Sequence, residues 1–199
     1  MRMRNPKDKD ELINGCDYFY QGTFDNDNKI ALEIGMGKGQ FILNMALAHP
    51  EMNFIGVEKY SSVASVAIKK INEFKPQNLK ILIGDIANLT DILNKKIDVI
   101  YLNFSDPWPK DRHAKRRLTS INYLKLYDNL FKNKKTIIQK TDNDDLFKYS
   151  LEQYQLYGYK LKKVSYDLHK EDIANVLTEY EEKFSSEGIK IKYAEVVKD

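Results

Sequence analysis

Residues 29–40 read KIALEIGMGKGQ: an apolar run breaks into a turn with three glycines in five positions, Gly35, Gly37 and Gly39, and residues 41–48 continue in helical rhythm. A buried strand that ends in such a turn and opens a helix is a nucleotide-binding βα unit. Glycine lets the backbone take positive φ and pass close to a ligand beside the helix N-terminus. The spacing also constrains the ligand. The dinucleotide fingerprint G-x-G-x-x-G needs its third glycine at position 40, where Gln40 stands. Glu33, just ahead of the turn, puts a carboxylate where a pyrophosphate would be repelled. A cationic or zwitterionic ligand fits better, and Glu33, Gly35 and Gly37 are its candidate binding residues.

The rest of the chain continues the alternation of strand and helix that an α/β sheet needs. Residues 53–57 form a second strand ending in Glu58, about 20 residues past the glycines, where an acidic side chain can bind ribose hydroxyls in this class of fold. Ser61 opens a helix to about Phe74, and 79–83 makes a third strand followed by Gly84 and Asp85. Residues 97–102, IDVIYL, read as a fourth, buried strand. A helix is expected over 118–131, with Leu124, Tyr127, Leu130 and Phe131 on one face. A fifth strand over 135–139 ends in the polar cluster Lys140, Thr141, Asp142 and Asn143. Residues 144–157 are helical, with Leu146, Phe147, Leu151 and Tyr154 as core, and 159–168 alternates weakly as a strand.

A chain of 199 residues, 42% hydrophobic and 31% charged, suits one globular domain with a sizeable core. That domain is expected over 30–199. Residues 1–29 read as a basic arm (Arg2, Arg4, Lys7, Lys9) followed by a docked aromatic segment, Tyr18, Phe19, Tyr20 and Phe24. No apolar stretch reaches the roughly 18–20 residues of a spanning helix, and no signal-peptide pattern opens the chain, so a cytoplasmic protein with no membrane partner is expected. Cys16 is alone and His49, His113 and His169 are scattered, which leaves no zinc-ligand spacing; no metal is expected.

The second chemistry-bearing stretch is 103–117, NFSDPWPKDRHAKRR. The fourth strand delivers Asp106 at its C-terminal tip, and Pro107 and Pro109 stiffen the backbone around Trp108. Lys110, Arg112, Lys115, Arg116 and Arg117 then stand against the single Asp111, in a chain whose net charge is only +3. Arginine occurs nowhere else except at Arg2 and Arg4. A chain that otherwise uses lysine takes the planar, bidentate donor here, and that donor suits phosphate.

Residues 106–117 match at every defined position the D-P-W-P-K-x-R-H-x-K-R-R run of the tRNA (guanine-N7)-methyltransferases, and the chain resembles that family. The glycine turn preceded by Glu33 is similar to motif I of S-adenosylmethionine-dependent methyltransferases, in the form E-I-G-x-G-K-G-x-F. Residues 178–184, TEYEEKF, are a complete copy of the family's T-E-Y-E-x-K-F run; on composition alone they read as an exposed, acidic helix start. The resemblance runs from Glu33 to Phe184 and leaves the arm unmatched.

The resemblance implies a Rossmann-like class I methyltransferase fold, a mostly parallel, doubly wound sheet whose last strand, 190–197, runs antiparallel beside the fifth. It implies S-adenosyl-L-methionine as cofactor, held by Glu33, Gly35, Gly37, Glu58, Asp85 and the backbone of Ile86, with Asp106 alongside. It implies an RNA-binding transferase acting in tRNA processing, which methylates N7 of a guanine in the variable loop. Lys110, Asp142, Thr178, Glu179, Tyr180 and Glu181 would contact the guanosine, and Arg112, His113, Lys115, Arg116 and Arg117 would grip tRNA phosphates. Monomer and homodimer both stay open.

Guanine N7 carries a free lone pair at neutral pH, so positioning does most of the catalysis. As the methyl group arrives the purine becomes cationic, and a carboxylate near the ring stabilises charge that develops only in the transition state. Asp106 is the leading candidate for that role, followed by Asp142 and Glu181. The alternative is an amino-methyltransferase acting on adenine or cytosine, whose D/N-P-P-Y/F/W loop D-P-W-P loosely resembles; here, however, the second proline follows the aromatic residue. An RNA-binding protein with a disused fold would not keep Glu33, Glu58 and Asp85 together, and a nicotinamide oxidoreductase fails on glycine spacing.

Overall fold

The computed structural model describes residues 6–178, 180, 181, 184 and 187–199. The chain divides into two compact units, Met1–Leu93 and Asn94–Asp199.

The first unit holds α1 (Lys9–Asn14), β1 (Ile30–Ile34), α2 (Gln40–Ala48), β2 (Asn53–Glu58), α3 (Ser61–Phe74), β3 (Leu79–Ile83) and the short α4 (Thr90–Leu93). Its strands lie in the order β3-β2-β1, all parallel. Every residue of β2 is buried, as the second strand of a sheet covered on both faces must be. α2 and α3 bury Phe41, Ile42, Leu43, Ala64, Ala67, Ile68 and Ile71. The aromatic segment lies against β3. Tyr20 N–H donates to the Ile81 carbonyl and Ile81 N–H to the Tyr18 carbonyl, so residues 18–20 pair alongside β3 and bury Tyr20. The helix α1 carries no apolar period that would have announced it.

The second unit holds β4 (Ile97–Asn103), α5 (Ile121–Tyr127), β5 (Phe131–Thr141), α6 (Asp144–Leu156), β6 (Lys160–Ser165) and β7 (Lys192–Lys198). Its strands lie in the order β4-β5-β7-β6; β4 and β5 are parallel, and β7 is antiparallel to both β5 and β6. The helix expected over 118–131 is shorter. Leu124, Tyr127, Leu130 and Phe131 are all buried, but the chain turns at Asp128 and Phe131 already belongs to β5. Apolar spacing identifies buried positions without distinguishing a helix face from the first residue of a strand. β5 in turn starts four residues before its expected start. Its opening residues Lys132, Asn133 and Lys134 are exposed and polar, and the register with β4 shifts between Ile97 and Val99.

Candidate active site

In the first unit the glycine turn follows directly from β1. Gly35, Gly37 and Gly39 all take positive φ, 81°, 58° and 75°, but for two reasons. A Cβ on Gly39 would stand 2.8 Å from Ala67 Cβ, so this glycine lets the turn lie against α3. A Cβ on Gly35 or Gly37 would meet nothing within 4 Å, so these two keep a surface open on which a ligand can lie. The turn is tied to β2 by Gly35 N–H and Met36 N–H, which both donate to the Val57 carbonyl. Glu58 closes it: Oε2 accepts from Gly37 N–H at 3.0 Å and Oε1 from Tyr60 N–H at 2.9 Å. Glu33 is buried in β1.

Asp85 follows β3. Its Oδ1 accepts from Ala87 N–H at 3.0 Å and caps the 3₁₀ turn Ile86–Asn88, and its Oδ2 pairs with Lys59 Nζ at 2.8 Å. The Lys59 hydrogen bond, then the Ala87 N–H, hold its carboxyl below the usual carboxylate range. Ile86 is buried. The open glycine surface beside Glu33, Glu58 and Asp85 suits a zwitterionic or cationic ligand better than a pyrophosphate.

In the second unit β4 ends at Asn103, and the backbone at once leaves regular geometry. Phe104 takes φ 49° and Trp108 φ 43°. For bulky side chains this is an unusual backbone state, of the kind that costs on the order of 1–3 kcal/mol and persists only when its surroundings over-determine it. Pro109 disfavours the right-handed helical region at the residue before it, Trp108, which nevertheless does not adopt the extended backbone usual there. Asp106 projects from this loop, exposed.

The basic run folds as a 3₁₀ turn over Asp111–Arg116, and its cations do not behave alike. Lys110, Arg112, Lys115 and Arg116 are exposed; the Arg116 guanidinium lies 5.0 Å over the Trp108 ring, and His113 meets that ring edge-on at 5.8 Å. Arg117 is only 7% exposed. Its Nε donates to the Pro107 carbonyl at 2.9 Å and its Nη2 to the Trp108 carbonyl at 3.1 Å, with the guanidinium 4.3 Å over the Tyr149 ring. Where the resemblance implies a phosphate ligand, the Arg117 guanidinium faces inward and is engaged by two backbone carbonyls.

The tip of β5 holds the largest surprise. Lys140, 2% exposed, donates through Nζ to Glu181 Oε2 at 2.7 Å, Val176 O at 2.9 Å and Asn175 Oδ1 at 3.0 Å. Asn175 Nδ2 donates to Glu181 Oε1, and His169 Nε2 lies 3.5 Å from the same oxygen. Thr178 and Glu181 form a reciprocal cap: Glu181 N–H donates to Thr178 Oγ1 at 3.0 Å and Thr178 N–H to Glu181 Oε2 at 3.4 Å. The reading of 178–184 as exposed is therefore corrected for Thr178 and Glu181. Both are buried, and Glu181 is engaged by protein groups through both oxygens, where a substrate ligand was expected. The sequence TEYE does spell a capping box, but nothing in it announces that Lys140, forty-one positions earlier, will meet it.

Tyr180 is 58% exposed and stacks on Phe104 with ring centroids 5.9 Å apart. Asp142 is partly exposed, and its carbonyl accepts from Lys192 Nζ at 2.8 Å. Asn143 caps α6 by accepting from Leu146 N–H. Glu179 lies outside the described residues, as do Arg2, Arg4, Glu182 and Lys183. Among the described residues no cluster of His, Cys, Asp and Glu could hold a metal ion.

Comparison with known proteins turns this geometry into a class. A solved antibiotic-related methyltransferase matches with TM-score 0.61 at 17% identity, over 99% of this chain and 96% of its own. The 16S rRNA (adenine(1408)-N(1))-methyltransferase of Catenulisporales acidiphilia, solved with its cosubstrate SAM, matches with TM-score 0.59 at 14% identity over 96% and 90%. The fold is that of the class I S-adenosylmethionine-dependent methyltransferases, and a family model described as a putative methyltransferase covers residues 27–194. Identity is much higher with the tRNA (guanine-N(7)-)-methyltransferases of Lachnoclostridium phytofermentans, 48% over 94% of each chain, and of Bacillus subtilis, 44% over 98% of each chain. The chain belongs to the tRNA (guanine-N(7)-)-methyltransferase family.

Proposed function

We propose that the protein transfers a methyl group from S-adenosyl-L-methionine to N7 of a guanine in the variable loop of tRNA, in the cytoplasm. The observation that carries this reading is the loop after β4. It presents an exposed Asp106 on strained backbone, directly followed by a turn whose Arg112, Lys115 and Arg116 are exposed. Residues 30–199 make up the methyltransferase domain, and 1–29 are its arm. No helix among the described residues is long and apolar enough to cross a membrane.

Gly35 and Gly37 offer the backbone surface for the cofactor, Glu58 stands where ribose hydroxyls are held, Asp85 and the Ile86 backbone face the adenine, and Glu33 adds a buried carboxyl just ahead of the turn. When bound, the cofactor supplies a methyl group on a sulfonium, with a neutral thioether as leaving group. Guanine N7 forms the new N–C bond with its own lone pair as the S–C bond breaks, so no base has to remove a proton. The purine gains a positive charge. Asp106 accepts hydrogen bonds from guanine N1–H and the exocyclic amine and stabilises that charge as it builds. Lys110 and Asp142 complete the guanosine contacts, with Tyr180 offering its exposed ring. Thr178 and Glu181 act through shape, since their cap and the Lys140 pair hold the segment that presents Tyr180. Arg112, His113, Lys115 and Arg116 take tRNA phosphates as charge-assisted donors.

The test uses purified protein, unmodified tRNA and methyl-labelled S-adenosylmethionine, followed by nucleoside digestion and mapping of the labelled base. Label in 7-methylguanosine from the variable loop is expected. Label on an exocyclic amine of adenine or cytosine would transfer the assignment to the amino-methyltransferase alternative, and binding of NAD in place of the labelled cofactor would end both.

A further inference from the structure

Arg117 breaks the pattern of the run it belongs to, and its surroundings explain why. The loop it touches has prolines at 107 and 109, which donate no N–H, so its carbonyls lack the reciprocal pairing a strand or helix provides. The planar guanidinium meets two consecutive carbonyls, those of Pro107 and Trp108, through donors in fixed relative orientation. Beneath it lies the Tyr149 ring of α6, and the Tyr149 hydroxyl donates at 3.4 Å to the carbonyl of Ala114, within the basic turn. Helix α6, the basic turn and the loop that carries Asp106 are thus joined at one buried cation. Trp108, whose carbonyl accepts from this guanidinium, stands at φ 43°.

We propose that Arg117 is a positioning residue for methyl transfer: it fixes the loop carrying Asp106 through the Pro107 and Trp108 carbonyls, and takes no phosphate of the RNA. The proposal rests on the methyl-transfer reading above. A lysine can reach one of the two carbonyls as a point donor but cannot present the fork, which is why the only buried cation of this turn is an arginine. Its neighbours Arg112, Lys115 and Arg116 keep their charges outside, so the run divides into outward phosphate ligands and one inward strut.

Trp108, the only tryptophan of the chain, is a built-in reporter of the loop. The experiment compares full-length wild type, Arg117→Gln, Arg117→Lys and Arg112→Ala by three readouts: acrylamide quenching of Trp108, single-turnover methylation at saturating tRNA, and the salt dependence of tRNA binding. Arg117→Gln is expected to raise the quenching constant and to lower the saturated rate by about 10²-fold, the scale of an ångström-sized misplacement of a catalytic group. Its salt slope should equal that of the wild type. Arg117→Lys should fall between the two. Arg112→Ala sets the scale for a lost phosphate contact, a slope smaller by about 0.7–0.9.

An Arg117→Gln protein with wild-type quenching and saturated rate but a slope reduced like that of Arg112→Ala would overturn the proposal and return Arg117 to the phosphate ligands. If Arg117→Gln does not fold, Arg117→Lys decides alone: a wild-type rate and wild-type quenching in that variant refute the clamp. Should the wild type itself place no methyl on guanine N7, the functional reading falls, while the quenching series still reports on the clamp.

Discussion

The two units bring carboxylates to strand ends by opposite means. In the first, Glu58 belongs to β2 itself, and its partners, Gly37 N–H and Tyr60 N–H, lie in the βα turn and the residues that follow the strand. Asp85 is likewise held by the N–H of Ala87, two residues on. In the second, Asp106 sits beyond the end of β4 between Phe104 and Trp108, which take the positive φ that glycine favours, and the carbonyls of Pro107 and Trp108 just after it accept from the buried side chain of Arg117. Glu181 is held by the buried side chain of Lys140, forty-one positions earlier. Carboxylates held by backbone N–H groups of turns between paired strands are nearly in place once β1, β2 and β3 pair. A loop and a segment held by buried side-chain cations are in place only when the whole unit is packed.

The largest expected effect breaks the clamp at β5. Lys140→Met leaves Glu181 buried without its cation, and removing one partner of a buried pair costs about 3–5 kcal/mol. Chemical denaturation would read this directly, and the tRNA Michaelis constant should rise as the segment carrying Tyr180 loses its anchor. A loss under about 1 kcal/mol, the scale of an exposed pair, would show that the segment is held by something else.

Asp106→Asn probes chemistry on the same side. The amide keeps the shape and one acceptor but loses the charge, so turnover at saturating tRNA should drop by about 10²–10³ while tRNA and cofactor affinities hardly move. Wild-type single-turnover methylation in this variant would reduce Asp106 to a binding role.

On the cofactor side, Glu58→Gln and Asp85→Asn should each weaken cofactor binding by about 1.5–3 kcal/mol, tenfold or more, through a lost charged hydrogen bond. Calorimetric titration measures both. The comparison sharpens here: Asp85→Asn should leave stability almost untouched, because the amide oxygen can still accept from Ala87 N–H and the lost partner, Lys59, is largely exposed. Glu58→Gln should lower it as well, because Glu58 is buried and its two oxygens hold Gly37 and Tyr60. Unchanged cofactor affinity in either variant removes that residue from the site.

The smallest effect per residue belongs to the outward cations. Arg112→Ala with Arg116→Ala should flatten the salt dependence of tRNA binding by about 1.4–1.8 in slope, two contacts' worth of counterion release, and raise the Michaelis constant with little change in cofactor affinity. An unchanged slope would make the turn a solvated patch.

The difference between the units also decides what could be read in the chain of residues. Glu33, the glycines, Glu58 and Asp85 stand out as single letters at or near the ends of apolar runs, because strand tips are legible in the sequence even where the partners are not, as with Gly37, twenty-one positions from Glu58, and Lys59, twenty-six from Asp85. The same logic located β1 to β4, α2 and α3. It failed for the helix expected over 118–131, where burial at Leu130 and Phe131 was right and the element wrong, and for the polar start of β5. It placed Arg117 among the phosphate ligands because composition counts charges without saying which way they face.

What the sequence by itself determined is the order of elements, the glycine turn with its acidic strand ends, and the motif that joins the chain to its family; these rest on local backbone preferences and on residue types in fixed spacing. Which cations face outward, that Glu181 is a buried anchor paired with Lys140, and that the Trp108 carbonyl accepts from Arg117 were decided only in the folded chain. Burial and ion pairing depend on which distant segments share a volume, and no spacing along the sequence encodes that directly.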